Sequence, residues 1–388
     1  MRRKVCIVTG SRAEWGLLSP IARVLEARED VELQIIATNM HLLERYGHTV
    51  DVIRQEGFRV DAEVTMDADG DSRRETAVAT GRCLCGMAEA FARLEPDLAV
   101  VLGDRYELLA VGAAATIMRI PIVHLHGGEI SEGAIDDSIR HSITKLSALH
   151  LTSAECHRRR VIQMGENPAM VHDIGAVGVA NALAVEPLAK EELEAFLGVR
   201  LDRRSLAVTY HPVTADDRTP GELFGHLLEA LGRFGSSTVV FTYPNNDANG
   251  REIIGMIDRF VADNPGRAVA FPSLGMKRYL SLLHYAGAAV GNSSSGIIEV
   301  PSMGIPTVNI GRRQEGRLSA SSVINCRDDA DSIADAVARA LSDCCQREAA
   351  AVDNPYYKPD TVVRAAELIA TVPMEKLRHK RFFDVNII

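Results

Sequence analysis

The 388-residue sequence concentrates reactive side chains in the stretch DLAVVLGDRYELLAVGAAATIMRIPIVHLHGGEISEGAIDDSIRH, residues 97–141. Asp104, Glu129, Glu132, Asp136 and Asp137 fall within it, with Arg105, His126, Arg140 and His141 beside them. Carboxylates brought together raise at least one another's proton affinity, and a carboxyl poised near neutral pH suits proton transfer. Each of them singly also has a plainer reading as a helix cap or a surface ion pair. Asp137, for one, stands where it would cap a helix containing Arg140 and His141. As a group they predict a general acid/base site.

A second set has the chemistry of phosphate binding. GNSSSG, residues 291–296, follows an apolar strand and is predicted to open a helix. Gly291 and Gly296 let a ligand approach the backbone, while Ser293 and Ser294 add hydroxyl donors to the free N–H groups of a first helical turn. The alternative is a serine-capped helix with no ligand. Glu299, one turn later, is placed to accept from ribose hydroxyls. Arg313 and Arg317, in a Gly-flanked loop, supply the positive charge that a diphosphate requires. His211, before Pro212, and Asn245, Asn246 and Asp247, after the next strand, are placed to line the same edge. Near the N-terminus, GSRAEWGLL puts Arg12 in a βα turn, where N–H groups and the positive end of a helix dipole favour an anion. That turn has no G-x-G-x-x-G fingerprint, so a dinucleotide is not implied. A solitary Arg12 or His211 also reads as an ordinary surface or turn residue.

These residues sit where strands should end. Strands are predicted over 4–9, 31–38, 59–64, 98–102, 122–125, 150–153 and 170–174, then over 205–210, 238–243, 268–271, 288–290, 306–310 and 322–325, with helices between most of them. Such alternation predicts an α/β protein with doubly wound parallel sheets, which bind ligands outside the C-terminal ends of their strands. The rhythm loosens at 175–181, and the charged stretch 186–197 reads as a helix outside either sheet. The expected division is a catalytic domain over 1–174, a nucleotide-binding domain over 175–365 and a C-terminal segment over 366–388. A chain of 388 residues exceeds the size at which one core usually stops growing, which also predicts two domains.

Composition narrows the class. With 46% hydrophobic and 24% charged residues the chain reads as an ordinary globular protein. Its net charge of -9, with no basic run beyond Arg158-Arg159-Arg160, argues against nucleic acid as a partner. No apolar run reaches the roughly 18 residues of a membrane span. MRRKVCIVTG runs straight into a strand without the apolar core of a signal peptide, and seven cysteines without metal spacing read as reduced thiols. A cytoplasmic location and no metal site are expected.

SRAEWGLL, LGDRYELLA, HGGEISEGAIDDSIRHSITKLS, HPVT, GNSSSGIIEVPS and NIGRRQEGR, taken together and in this order, resemble the hydrolysing UDP-N-acetylglucosamine 2-epimerases of bacterial sialic-acid and legionaminic-acid synthesis. The resemblance covers nearly the whole chain. It implies a GT-B architecture, two Rossmann-like domains facing across a cleft that holds the nucleotide, with the C-terminal segment packing back toward the first domain. It implies anti elimination of the nucleotide from C1 with loss of the C2 proton, giving a 2-acetamidoglucal, then hydration to the free 2-epimer. That chemistry requires no metal or redox cofactor. The partners implied are a nucleotide-sugar substrate and further copies of the chain, in a homodimer or homotetramer.

Position by position, Asp104 and Asp136 match acidic catalytic positions, while Arg12, His211, Ser293, Ser294, Glu299 and Arg313 match nucleotide-contacting ones. Where the family pattern reads His-hydrophobic-Glu-Gly-Gly-Glu, this chain reads His124-Leu125-His126-Gly127-Gly128-Glu129, so His126 replaces the expected glutamate and the loop to Asp136 is one residue longer. Glu129, reaching from a flexible Gly127-Gly128 pair, is expected to supply the missing carboxylate while His126 binds the sugar or orients a carboxylate; the competing readings are His126 itself as the acid/base and Glu129 as a loop anchor. The departure points to a subgroup acting on a 2,4-diacetamido-2,4,6-trideoxyhexose nucleotide as the alternative to UDP-N-acetylglucosamine. More distant alternatives are a retaining glycosyltransferase and a non-catalytic nucleotide-sugar binder.

Overall fold

The computed structural model describes residues 2–66, 72–130, 135–212, 218–244 and 250–385. Its contacts divide into two units, one of Met1–Ala180 with Lys358–Ile388 and one of Asn181–Tyr357. The first contains β1 (Arg3–Thr9), α1 (Arg12–Glu26), β2 (Val31–Thr38), α2 (Val50–Gln55), β3 (Ala62–Val64), α3 (Arg73–Leu94) and β4 (Leu98–Leu102). It continues through α4 (Glu107–Ile117), β5 (Ile122–Leu125), α5 (Ile135–Leu146), β6 (Leu149–Thr152), α6 (Glu155–Gln163) and β7 (Val171–Asp173).

Its seven strands are parallel, in the order β3-β2-β1-β4-β5-β6-β7. The chain fills the sheet outward from β1 in one direction and then, from β4, in the other. The C-terminal ends of β1 and β4 are therefore the switch point, where open α/β sheets leave a crevice. Along β1, Val5 and Ile7 enter one apolar cluster with Leu98 and Val100, while Cys6 and Val8 enter another with Met87, Val101 and Leu108. Burial on both faces explains why these strands read as continuous apolar runs and not as alternations. α3 begins at Arg73, where the Ser72 cap and Glu75 in the first turn form a reciprocal capping box. The stretch read as a loosening is instead α7 (Val177–Ala184), whose terminal turns carry neither acidic nor basic signals.

The second unit contains α8 (Lys190–Leu197), β8 (Leu206–Thr209), α9 (Pro220–Gly232), β9 (Val239–Thr242), α10 (Gly250–Asp263), β10 (Ala268–Phe271), α11 (Gly275–Tyr285) and β11 (Ala288–Gly291). After it come α12 (Ser295–Ile298), β12 (Thr307–Ile310), β13 (Val323–Cys326), α13 (Ala330–Ala340) and α14 (Asp343–Ala350). Six parallel strands run β10-β9-β8-β11-β12-β13, with the switch point between β8 and β11.

The chain then returns to the first unit as α15 (Thr361–Thr371) and α16 (Met374–Arg378). Ala365, Ala366 and Ile369 pack in the core with Leu18, Ile21 and Leu25 of α1, and the Arg3 guanidinium donates to the Ile369 and Val372 carbonyls at 2.9 Å each. Because α15 packs as one piece, the return starts at Lys358 and not within the helix at 366. Further on, Lys380 donates to the Lys145 and Ser147 carbonyls (2.6 and 2.7 Å) and pairs with the buried Glu166 at 2.8 Å, which secures the C-terminal end of α5.

Candidate functional site

In the first unit one arginine organises the acidic residues. The Arg140 side chain on α5 is 2% exposed. It pairs with Asp104 at the end of β4, donates to the Glu129 carbonyl at 2.9 Å, and meets Asp137, one helical turn before it, at 3.3 Å. A nearly dry guanidinium must be matched by carboxylate or carbonyl oxygens, so its burial draws these groups together. Burial pushes the Asp104 carboxyl above the usual carboxylate range despite the pull of Arg140, and the charges of Asp136 and Glu129 push it the same way. Asp137 is also 3.4 Å from His141, whose imidazole is held below its ordinary value by burial. Asp136 accepts no hydrogen bond among the described residues, although its charge reaches Asp104. The cluster thus sets Asp104, whose carboxyl burial raises, beside Asp136 and Asp137 around one buried cation.

Glu129 and His126 occupy a tight corner behind it. The Glu129 carboxylate accepts from the Ser153 hydroxyl at 2.8 Å and lies 3.5 Å from His126 Nδ1. His126 Nε2 accepts from the Val177 N–H at 3.3 Å, which leaves the proton on Nδ1, facing Glu129. The backbone is unusual here: His126 sits at φ 63° and Gly128 at φ 81°. Contrary to the expectation of reach, the two glycines are packing devices. A Cβ on Gly127 would lie 2.9 Å from Thr144 Oγ1, and one on Gly128 would lie 2.5 Å from the His157 carbonyl. His124, behind the corner, donates to the Gly103 carbonyl at 2.8 Å and is pushed down to about 3 by burial, so it stays neutral and ties β5 to the turn carrying Asp104.

At the switch point of this sheet Ser11 caps α1, accepting from the Glu14 N–H, and Glu14 Oε2 accepts from the Gly10 N–H at 2.7 Å. The turn read as an open anion site is thus partly filled by the protein's own carboxyl, and Arg12, the first residue of α1, stays exposed. Arg105, next to Asp104, points the other way and donates to Glu107 at 2.8 Å.

In the second unit GNSSSG follows β11 as the sequence predicts, but the helix it opens is short. α12 ends at Ile298 and gives way to a 3₁₀ turn over Val300–Met303, because Pro301 lacks the N–H that an α-helix would need. Glu299 is therefore a terminal residue and not part of a second turn. Ser294 makes no capping bond with its side chain, which leaves the plain serine-cap reading unsupported. Ser293, Gly291, Gly296, Thr209, Thr307 and Tyr279 line a small cavity at this turn. Asn292, fully buried, accepts from the His211 N–H (2.7 Å) and donates to the His211 carbonyl (2.8 Å). Its own carbonyl receives Arg313 at 3.0 Å and Gln314 at 2.9 Å. Arg313 and His211 are thus joined to one turn, and Arg317 follows in the same loop, where its N–H donates to the Gln314 carbonyl. Asn245, Asn246, Asp247 and Glu132 lie outside the described residues.

Three organising residues carried no assigned role in the sequence reading. Arg140 had a signal, as a cation three residues after Asp137. Asn292 and Ser153 had none, since their importance comes from contacts distant in sequence. Among the described residues no cluster of histidine, cysteine or carboxylate could hold a metal ion, and no helix is long and apolar enough to cross a membrane.

Residues 23–370 match the family model described as UDP-N-acetylglucosamine 2-epimerase. The GDP/UDP-N,N'-diacetylbacillosamine 2-epimerase (hydrolyzing) of Campylobacter jejuni is 39% identical over 324 residues, 84% of each chain. The polysialic acid biosynthesis protein P7 of Escherichia coli is 34% identical over 385 residues, 99% of this chain and 98% of that one. Among solved structures, the UDP-GlcNAc 2-epimerase from Neisseria meningitidis bound to UDP-GlcNAc superimposes with a TM-score of 0.80 at 16% identity, covering 94% of this chain and 99% of that one. The fold is accordingly of the GT-B type, with two doubly wound parallel sheets. With the model matched from α1 to α15 and a relative 39% identical over most of its length, the chain belongs to the UDP-N-acetylglucosamine 2-epimerase family.

Proposed function

We propose that this member is a hydrolysing 2-epimerase, which cleaves a nucleoside-diphosphate 2-acetamido sugar and releases the free 2-epimer. The observation that carries the reading is the acidic cluster around the buried Arg140, which brings Asp104, whose carboxyl burial raises, together with Asp136 and Asp137. In the first step a carboxylate takes the C2 proton while the C1–O bond breaks and its electron pair leaves with the nucleoside diphosphate, forming the C1=C2 double bond of the glucal. In the second, water adds its hydroxyl to C1 and C2 receives a proton on the opposite face. The sum is nucleotide sugar plus water giving nucleoside diphosphate plus free sugar. Asp104, Asp136 and Asp137 carry the proton transfers, with Glu129 and His126 holding the corner behind them. Arg313, Ser293, Ser294 and the pinned turn at His211 bind the diphosphate.

Two sugars fit this reaction, UDP-N-acetylglucosamine and a 2,4-diacetamido-2,4,6-trideoxyhexose nucleotide. The Campylobacter jejuni relative, named for diacetylbacillosamine and for hydrolysis, favours the second. Incubation with UDP-GlcNAc and, separately, with UDP- and GDP-diacetylbacillosamine tests both. Free sugar of inverted C2 configuration with nucleoside diphosphate is expected. Release of sugar with its configuration kept would mark idle transferase hydrolysis, and no turnover of any of the three would mark a binder.

In D2O the released sugar is expected to carry deuterium at C2, because the proton removed exchanges before one is returned. Full protium there, read by NMR, would exclude the elimination route. Arg313→Ala is expected to weaken UDP binding by about 1.5–3 kcal/mol, the size of a charge-assisted bond, with a smaller change in kcat. An unaltered UDP dissociation constant in calorimetry would remove Arg313 from the phosphate site.

A further inference from the structure

The switch point of the first sheet holds a second pair of acids that the proposed reaction does not use. Glu14 from α1 and Glu107 from α4 converge on Gly10: a Cβ there would lie 2.2 Å from Glu107 Oε1 and 3.2 Å from Glu14 Oε2. Both are buried, Glu107 completely, and Arg105 is bonded to one of them, donating to Glu107 Oε1. Glu107 Oε2 has no hydrogen-bond partner among the described residues. A buried carboxylate oxygen without a donor is costly, and two ionised carboxylates against one guanidinium leave a negative charge uncompensated. One proton on Glu14 removes the surplus charge, and it leaves Glu14 Oε2 free to accept from the Gly10 N–H as observed.

We propose that Glu14 works as the protonated partner of Glu107, so that Glu107 is free to hold Arg105, and that losing this proton releases Arg105 and with it the turn that carries the catalytic Asp104. Glu14 and Glu107 are thus positioning residues. Burial and the charge of Glu107 hold the Glu14 carboxyl above the usual range, against Arg105 and the N–H groups of Gly10 and Ser11. The other titratable groups facing the pair are His41 beyond β2, which burial keeps neutral, Tyr106 beside Arg105, and the Cys83 thiol of α3, which burial also keeps protonated.

The kinetic arm of the test rests on the hydrolysing reaction proposed above; the spectroscopic arm does not. In infrared spectra of the free protein, a protonated-carboxyl C=O band present in the wild type at about pH 7 and absent from Glu14→Gln is expected, fading as pH rises. Identical wild-type and Glu14→Gln spectra would overturn the proposal, whatever the substrate proves to be. With the sugar nucleotide that is turned over, wild-type kcat/KM is expected to fall about tenfold per pH unit on its alkaline side, as one deprotonation requires. Glu14→Gln, which cannot ionise, is expected to lose that limb, and Glu14→Asp to restore it. Glu107→Gln is expected to lose about a hundredfold or more at every pH, since freeing Arg105 displaces the turn that carries Asp104 and a small misplacement of a reacting group costs that much. An alkaline limb shared unchanged by the wild type and Glu14→Gln would overturn the positioning role.

Discussion

Arg140→Ala is expected to destabilise the first unit by about 3–5 kcal/mol and to lower kcat by about 10²–10³-fold. The reason is the company that Arg140 keeps: Asp104, Asp137 and the Glu129 carbonyl all depend on it, and its side chain is 2% exposed. Removing it leaves carboxylates facing one another with no cation between them. Two consequences follow for Asp104. Its carboxyl, already raised by burial, moves further up, and the side chain loses the anchor that fixes its direction. Arg140→Lys separates charge from geometry, because an ammonium restores the charge without the fork that reaches Asp104 and the Glu129 carbonyl together. The lysine variant is expected to recover most of the stability and little of the rate. Thermal unfolding followed by circular dichroism gives the first quantity and nucleoside diphosphate release the second. A stable Arg140→Ala variant with wild-type kcat would show that the cluster is not organised by this residue.

Gly291→Ala is expected to cost more than about 4 kcal/mol, enough to leave the second unit unfolded or the chain insoluble. Gly291 closes β11 at φ 142°, where side chains are strained, and a Cβ there would lie 1.9 Å from the Thr209 carbonyl of the neighbouring strand. That carbonyl belongs to the backbone and cannot swing aside, so the β8–β11 pairing at Gly291↔Thr209 has to open. The damage falls on the turn that carries Asn292, and through it on His211 and Arg313. Gly225, inside α9, is the control: among the described residues an added Cβ meets only Met256 Cε, at 3.8 Å. Gly225→Ala is expected to be neutral or to stabilise by up to about 1 kcal/mol through helix propensity. Equal melting temperatures for the two variants would contradict the packing argument.

Much of this architecture was legible in order along the chain. Apolar runs such as 98–102 and 122–125 mark buried parallel strands because burial on both faces leaves no room for alternation, and the glycines and serines after them mark turns at strand ends. Asp104 and GNSSSG therefore read from the sequence as following strands, and the structure has them after β4 and β11. Two helices escaped the reading for reasons that lie in the chain itself. α12 stops at Ile298 because of a proline two residues beyond its cap, while α7 carries no terminal charges to announce it. The roles of individual side chains were decided almost entirely by tertiary structure. Nothing in the order Gly127-Gly128-Glu129 says that both glycines are pressed against α5 and α6, or that Ser153, twenty-four residues on, donates to the glutamate. Nor does the sequence say that two adjacent residues part company, Asp104 toward Arg140 and Arg105 toward Glu107. The types and spacing of residues determine which elements form and where reactive groups gather, since those depend on backbone preferences and burial. Which carboxyl keeps a proton depends on the desolvation and charges that distant segments bring to it, and only the folded chain sets those.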